Sequence, residues 1–169
     1  PYIALLDAKS VPESNAVELI VNQHINTNVD LISGNVVFKL LQPPVFGEWV
    51  DALVFVRVKE VVEAQEGLPG NSLWFFHKNL LDKIGPFRKD MRSGADTEWS
   101  MRLWKQGLTL NYVPEAIVHY RAREFGPLLI KARRTGRGHL QLAKLRPGFN
   151  VLKWCASSII KMRPASIRY

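Results

Sequence analysis

Short apolar runs recur along this chain and alternate with stretches of helical spacing, and few architectures accommodate both. Residues 2–6 form a continuous apolar run that ends at Asp7, as expected of a strand buried on both faces of a parallel sheet. Residues 14–26 carry Val17, Ile20, Val21 and Ile25 at helical spacing behind the start signals Pro12 and Ser14. A second strand is expected over 30–38, interrupted by Gly34-Asn35, and a loop over 39–47 with Pro43-Pro44. Residues 48–66 read as strand in their first half and helix in their second. A turn at 67–70, a strand at 72–76 and one or two helical turns at 78–84, closed by Gly85-Pro86, follow. Residues 97–106 have the plainest helix signals, with Asp96 placed to cap the start and Gly107 just past the end. Two short strands, 110–113 and 117–120, flank Pro114. Two basic amphipathic helices, 127–145 and 149–162, flank Pro147-Gly148. Strands alternating with helices point to an α/β class, a sheet flanked by helices.

Charge divides the chain unevenly. Residues 1–120 hold 11 Lys+Arg and 14 Asp+Glu, whereas residues 121–169 hold 12 Lys+Arg and only Glu124. The net charge of +8 therefore belongs to the tail. Basic residues interleaved with Leu, Ile, Trp and Phe suit an anionic membrane surface or phosphate groups. Nucleic acid is the rival partner, but no zinc, helix-turn-helix or RNA-binding motif accompanies the charge. The single cysteine, Cys155, excludes an internal disulfide framework and suits a reducing compartment, so a cytoplasmic location, peripheral on the membrane face, is expected. No signal peptide is visible, and the chain opens at Pro1 directly in a strand, as a fragment would.

Three places concentrate candidate chemistry. Asp7, with Lys9, stands beyond the end of the first strand, where α/β sheets bind ligands and where a carboxylate can hold a hydroxyl or a metal ion; its plainer role is to cap a turn. Asp96 opens the best helix. Its carboxylate suits a general base, although an N-cap is the simpler reading. His119 ends a strand and could ligate a metal, and Arg121 and Arg123 beyond it could grip phosphate oxygens. Trp74 and Trp99 could offer flat faces to an acceptor sugar, and Glu98 a carboxylate to its hydroxyls; core packing is the default for the tryptophans.

The order of these segments resembles family 2 glycosyltransferases. Gly70-Asn71 before a hydrophobic strand, then Phe76-His77-Lys78 and Leu81-Asp82-Lys83-Ile84-Gly85-Pro86-Phe87, is similar to the family's acceptor-side segment and turn. Ser93-Gly94-Ala95-Asp96-Thr97-Glu98-Trp99, with Arg102 and Gly107, looks like the motif whose aspartate is that family's catalytic base. Tyr112, Pro114, Ala116, Val118 and His119 match the following strand pair in order, and Gly136-Arg137-Gly138-His139 resembles the small basic segment after it. Asp7-Ala8-Lys9 occupies the place of the family's Asp-x-Asp motif.

The resemblance implies an incomplete GT-A sheet, with residues 1–126 a partial transferase domain and 127–169 a basic helical tail. It implies inverting transfer from a nucleotide-sugar donor to a glycan or lipid-linked acceptor, with Asp96 as base. Asp7, Lys9, Asn71, Trp74, Glu98, Trp99, Arg121 and Arg123 become substrate contacts, and Asp7 and His119 metal ligands. Two departures stand out: Lys9 replaces the second, metal-binding aspartate, which puts a Mg or Mn cofactor in doubt, and Ala95 replaces a common Glu. The family's nucleotide-gripping N-terminal unit has no counterpart here, so the isolated chain is expected to self-associate and to be inactive. The alternatives are a non-catalytic module binding sugar or membrane, and a basic phosphate- or nucleic-acid-binding domain.

Overall fold

The computed structural model describes residues 1–54 and 73–145. The expected turn at 67–70, Asn71, the second half of 48–66 and the helix at 149–162 lie outside the described residues. Ten elements follow one another: β1 (Tyr2–Leu6), β2 (Ser10–Pro12), α1 (Ala16–Thr27), β3 (Leu31–Lys39), α2 (Phe46–Val54), β4 (Leu73–His77), α3 (Asn79–Ile84), α4 (Ala95–Lys105), β5 (Leu110–Arg121) and α5 (Phe125–Leu145). The strands form one mixed sheet in the order β1-β4-β3-β5-β2. Among the described strands only the β3–β5 pair is parallel; β1–β4, β3–β4 and β2–β5 are antiparallel. A mixed sheet flanked by helices agrees with the α/β, GT-A-like expectation.

Period-two alternation builds two cores from one set of strands. Leu73 and Phe75 face α1, where Ala16 and Ile20 join Ile32, Val113, Ala116 and Val118. Trp74 and Phe76 face the other way, onto Leu80 and Ile84 of α3 and Trp99 and Leu103 of α4. A smaller cluster of Phe38, Tyr120, Ala52 and Ala122 seats α2 at the carboxyl end of the parallel pair.

Several sequence expectations need correction. β1 is neither parallel nor buried on both faces. It pairs antiparallel with β4 at one margin of the sheet, Ile3 and Leu5 packing on the core while Tyr2 and Leu6 are exposed. The two strands expected around Pro114 are one strand, because a register shift at Gly34/Asn35 of β3 accommodates the proline and pairing resumes beyond it. Residues 48–54, within the half expected to be strand, are helical, as part of α2. Its two carboxylates, Glu48 and Asp51, fall three residues apart and are both buried. Glu48 Oε2 accepts from the Leu41 and Val45 amides at 3.1 and 3.2 Å, tying down the loop before the helix.

Candidate active site

α4 begins two residues earlier than expected. Gly94, in the left-handed region at φ 81°, is its N-cap, so Asp96 is inside the first turn and is not the cap. Its Oδ1 accepts from the Thr97 amide at 2.9 Å. Asp96 lines an open cleft of about 440 Å³ with Leu5, Phe87, Arg92, Ser93, Gly94, Ala95 and Arg134.

A larger cavity of about 700 Å³ shares Arg92, Ser93 and Arg134 with that cleft. Among the described residues, its walls carry Lys9, Arg92, Arg123, Lys131, Arg133, Arg134 and Arg137, against one carboxylate, Asp7. Such a concentration of one sign in a concave surface focuses a field that selects anions. Asp7 stays where the sequence placed it, past β1, and its Oδ1 accepts from the Lys9 amide at 2.9 Å. The turn-capping role and the position on the cavity wall are therefore both real.

Two of the cations, Arg123 and Lys131, are held in place by a carboxylate that sequence reading missed. Asp51 of α2 is fully buried. Its Oδ2 accepts from the Arg123 backbone amide at 2.9 Å and from Arg123 Nη1 at 3.1 Å; its Oδ1 accepts from Lys131 Nζ at 3.0 Å. The Arg123 guanidinium also lies over the Tyr120 ring, 4.8 Å from its centroid, and bonds its hydroxyl. Burial depresses the Lys131 ammonium to about 8, a shift that Asp51 opposes and that Arg123 and Arg134 reinforce. Asp51 was hidden because residues 48–66 lacked a clean period. Two acids at i and i+3 in an otherwise apolar helix were the available signal. Lys131 and Arg134 belong to the basic tail that the sequence suits to phosphate or an anionic surface, and α5, folding back along the cavity, brings them beside Arg92.

That return is fixed by backbone contact. A Cβ on Gly138 would lie 2.4 Å from the Ser93 carbonyl oxygen, and Leu142 packs 3.0 Å from where a Gly94 Cβ would stand. α5 thus presses on the loop that starts α4, and brings His139 close enough to feel the Asp96 charge. Burial holds the His139 imidazole below its ordinary value, with Asp96 pulling the other way.

Other candidates are not brought to this place. Trp74 and Trp99 are fully buried, 6.0 Å apart and stacked with Phe87, and Trp99 Nε1 donates to the Gly85 carbonyl at 2.9 Å. With no face open, neither can be a sugar platform; they are core. Glu98 is engaged by Arg102, Oε1 and Oε2 both accepting from its Nε and Oε2 also from its Nη2 at 3.0 Å. Arg102 in turn donates to the Ile84 and Pro86 carbonyls, so this pair clamps α4 to the end of α3 rather than reaching an acceptor. Arg121 is exposed and off the cavity wall, unlike Arg123. His119 Nε2 lies 3.0 Å from Glu13 Oε1 in a separate, mostly apolar pocket of about 420 Å³, across the sheet from Asp7. Asp7 and His119 therefore do not converge on a common ion. Among the described residues, no three His, Cys, Asp or Glu side chains are grouped to hold a metal.

Comparison with known proteins adds two findings. The family model described as "Glycosyl transferase family group 2" matches residues 2–168. A curated relative, "Glycosyltransferase AglE" of Haloferax volcanii, is 28% identical over 167 residues, covering 96% of this chain and 55% of the relative. The chain thus spans about half the length of that relative.

Proposed function

The chain belongs to glycosyl transferase family group 2, and from that premise we propose that it moves a sugar from a nucleotide diphosphate to an acceptor hydroxyl with inversion. The observation that carries this reading is the shared wall. A carboxylate at a helix start and a cavity of seven cations meet at Arg92, Ser93 and Arg134. Asp96 takes the proton of the acceptor hydroxyl, whose oxygen bonds to the anomeric carbon on the face opposite the leaving group. The bond from that carbon to the phosphate oxygen breaks, and the electron pair leaves with the diphosphate. The cations stabilise that growing charge in a partly enclosed site, where such stabilisation is worth most. Asp51 is a positioning residue that orients Arg123 and Lys131 toward the cavity.

The resemblance implies a divalent metal, but the donor set does not fit one. Asp7 is the only carboxylate on the described wall, Lys9 stands beside it, and His119 lies elsewhere. The cationic side chains supply the positive charge instead. Transfer activity should therefore survive chelation. Activity lost to a chelator and restored by magnesium or manganese would reject that part.

The central test is Asp96→Asn. Turnover should fall by roughly 10²–10⁴-fold, with pyrophosphate affinity and melting temperature little changed. A stability loss without a kinetic one would confine Asp96 to the start of α4, where its Oδ1 accepts from the Thr97 amide. Normal turnover in this variant would remove Asp96 from the chemistry. Pyrophosphate binding without any transfer by the intact protein would favour a binding module.

A further inference from the structure

α5 is built inside out on one side. At about 100° per residue, positions 125, 129, 133, 136 and 140 form one stripe. That stripe points away from the buried residues Leu128, Gly138 and Leu142. Three of its five positions are large and apolar, Phe125 being 52% exposed, Leu129 55% and Leu140 54%, while Ile130, 74% exposed, stands off the stripe toward the cavity. Phe46, 71% exposed at the start of α2, extends the patch through a ring contact with Phe125 at 6.1 Å. Ordinary surface helices place such residues on the other face. Contiguous apolar surface of this kind marks a partner.

We propose that this face lies in the interface of an anionic bilayer, with α5 parallel to the membrane plane. The occupant is chosen by charge. Arg133 interrupts the apolar stripe, Arg137 and Lys144 flank it, and α5 holds five basic residues and no acidic one in its 21 positions. An in-plane helix with Phe and Leu in the acyl boundary and Lys and Arg among the headgroups matches that pattern. The apolar side chains, rather than the basic tail alone, supply the insertion. Ile130, Arg133 and Arg137 also line the cationic cavity, so its mouth opens at the same surface. The inference does not depend on the reaction assigned above, since attachment can be measured without donor or acceptor.

Flotation of the full chain with vesicles decides it, using phosphatidylcholine alone or mixed equally with phosphatidylglycerol. The chain should float with the mixed vesicles at least about tenfold more than with the neutral ones. The double variant Phe125→Ser, Leu129→Ser should lose about tenfold or more of that partition while binding pyrophosphate normally, because neither residue lines the cavity. Leu140→Ser, at the far end of the stripe, should lose roughly three- to tenfold and serves if the double variant fails to fold. Equal flotation of wild type and folded variants, or no preference for anionic vesicles, would overturn the proposal. So would a dimer in solution that the double variant converts to monomer, since a second copy would then be the cover.

Discussion

The two faces of α4 obey different physics. Toward the sheet, Trp99 and Leu103 meet Trp74 and Phe76 in an aromatic core closed to water. Toward α5, Asp96, Arg92 and Arg134 share an open cleft beside five further cations. The core needs only volume and shape, and its rings, 4.9 to 6.4 Å apart, supply both. The cleft and the adjoining cavity assemble like charges that repel one another; there, a buried carboxylate holds Arg123 and Lys131, and backbone contacts seat α5, which carries Arg133, Arg134 and Arg137. Stability and chemistry are thus carried by neighbouring but separable sets of side chains.

The sharpest way to break that separation is at its core side. Trp99→Ala should cost about 3–5 kcal/mol of stability, by removing one of the two indoles of the stack and the hydrogen bond to Gly85. Chemical denaturation reads this directly. A loss below about 1 kcal/mol would mean that the core tolerates collapse there and that the two regions are not divided as described.

On the cleft side, Asp51→Asn should act on ligand handling. Asparagine keeps the shape but withdraws the charge that aligns Arg123 and Lys131, so donor KM should rise by roughly tenfold with a smaller change in kcat. Equal falls in kcat with unchanged KM would place Asp51 outside phosphate recognition.

The smallest expected effect is a pH dependence. Lys131, held near 8, is charged at pH 7 and largely neutral at pH 9, so pyrophosphate affinity should decline as pH rises through that window. The decline should stay within about tenfold, because the neighbouring arginines remain charged. Lys131→Arg should flatten the profile. A profile identical in wild type and variant would assign the titration to another group.

Much of this division was legible in the sequence, and the exceptions share a cause. Asp96 and its helix were visible because the Gly-x-Asp opening and the 3.6-residue period are local properties. The core strands at 30–38 and 72–76 were visible for the same reason. What distance in sequence brings together was not: Asp51 meets Lys131 across 80 positions and Arg123 across 72. β1 looked fully buried because composition cannot show which strand ends a sheet. The motif offers Trp74, Trp99 and Glu98 as sugar contacts, with core packing the default for the tryptophans, and sequence alone does not decide between the two. Packing against Phe87 and pairing with Arg102 absorb them instead.

α5 rests on the domain at two bare-backbone points. At one end a Cβ on Gly47 would stand 2.2 Å from the Phe125 amide nitrogen, and at the other Gly138 abuts Ser93. Neither seat uses a side chain of α5 that faces the cavity or the exterior. The helix therefore works as a socketed rod whose decorations can be exchanged without moving it. Over evolutionary time, or in a designed library, residues such as Ile130, Arg134 and Gln141 can vary and retune what is gripped. Gly47 and Gly138 cannot vary without unseating the rod. Randomising the first set while fixing the second is a route to altered selectivity in which most variants should still fold.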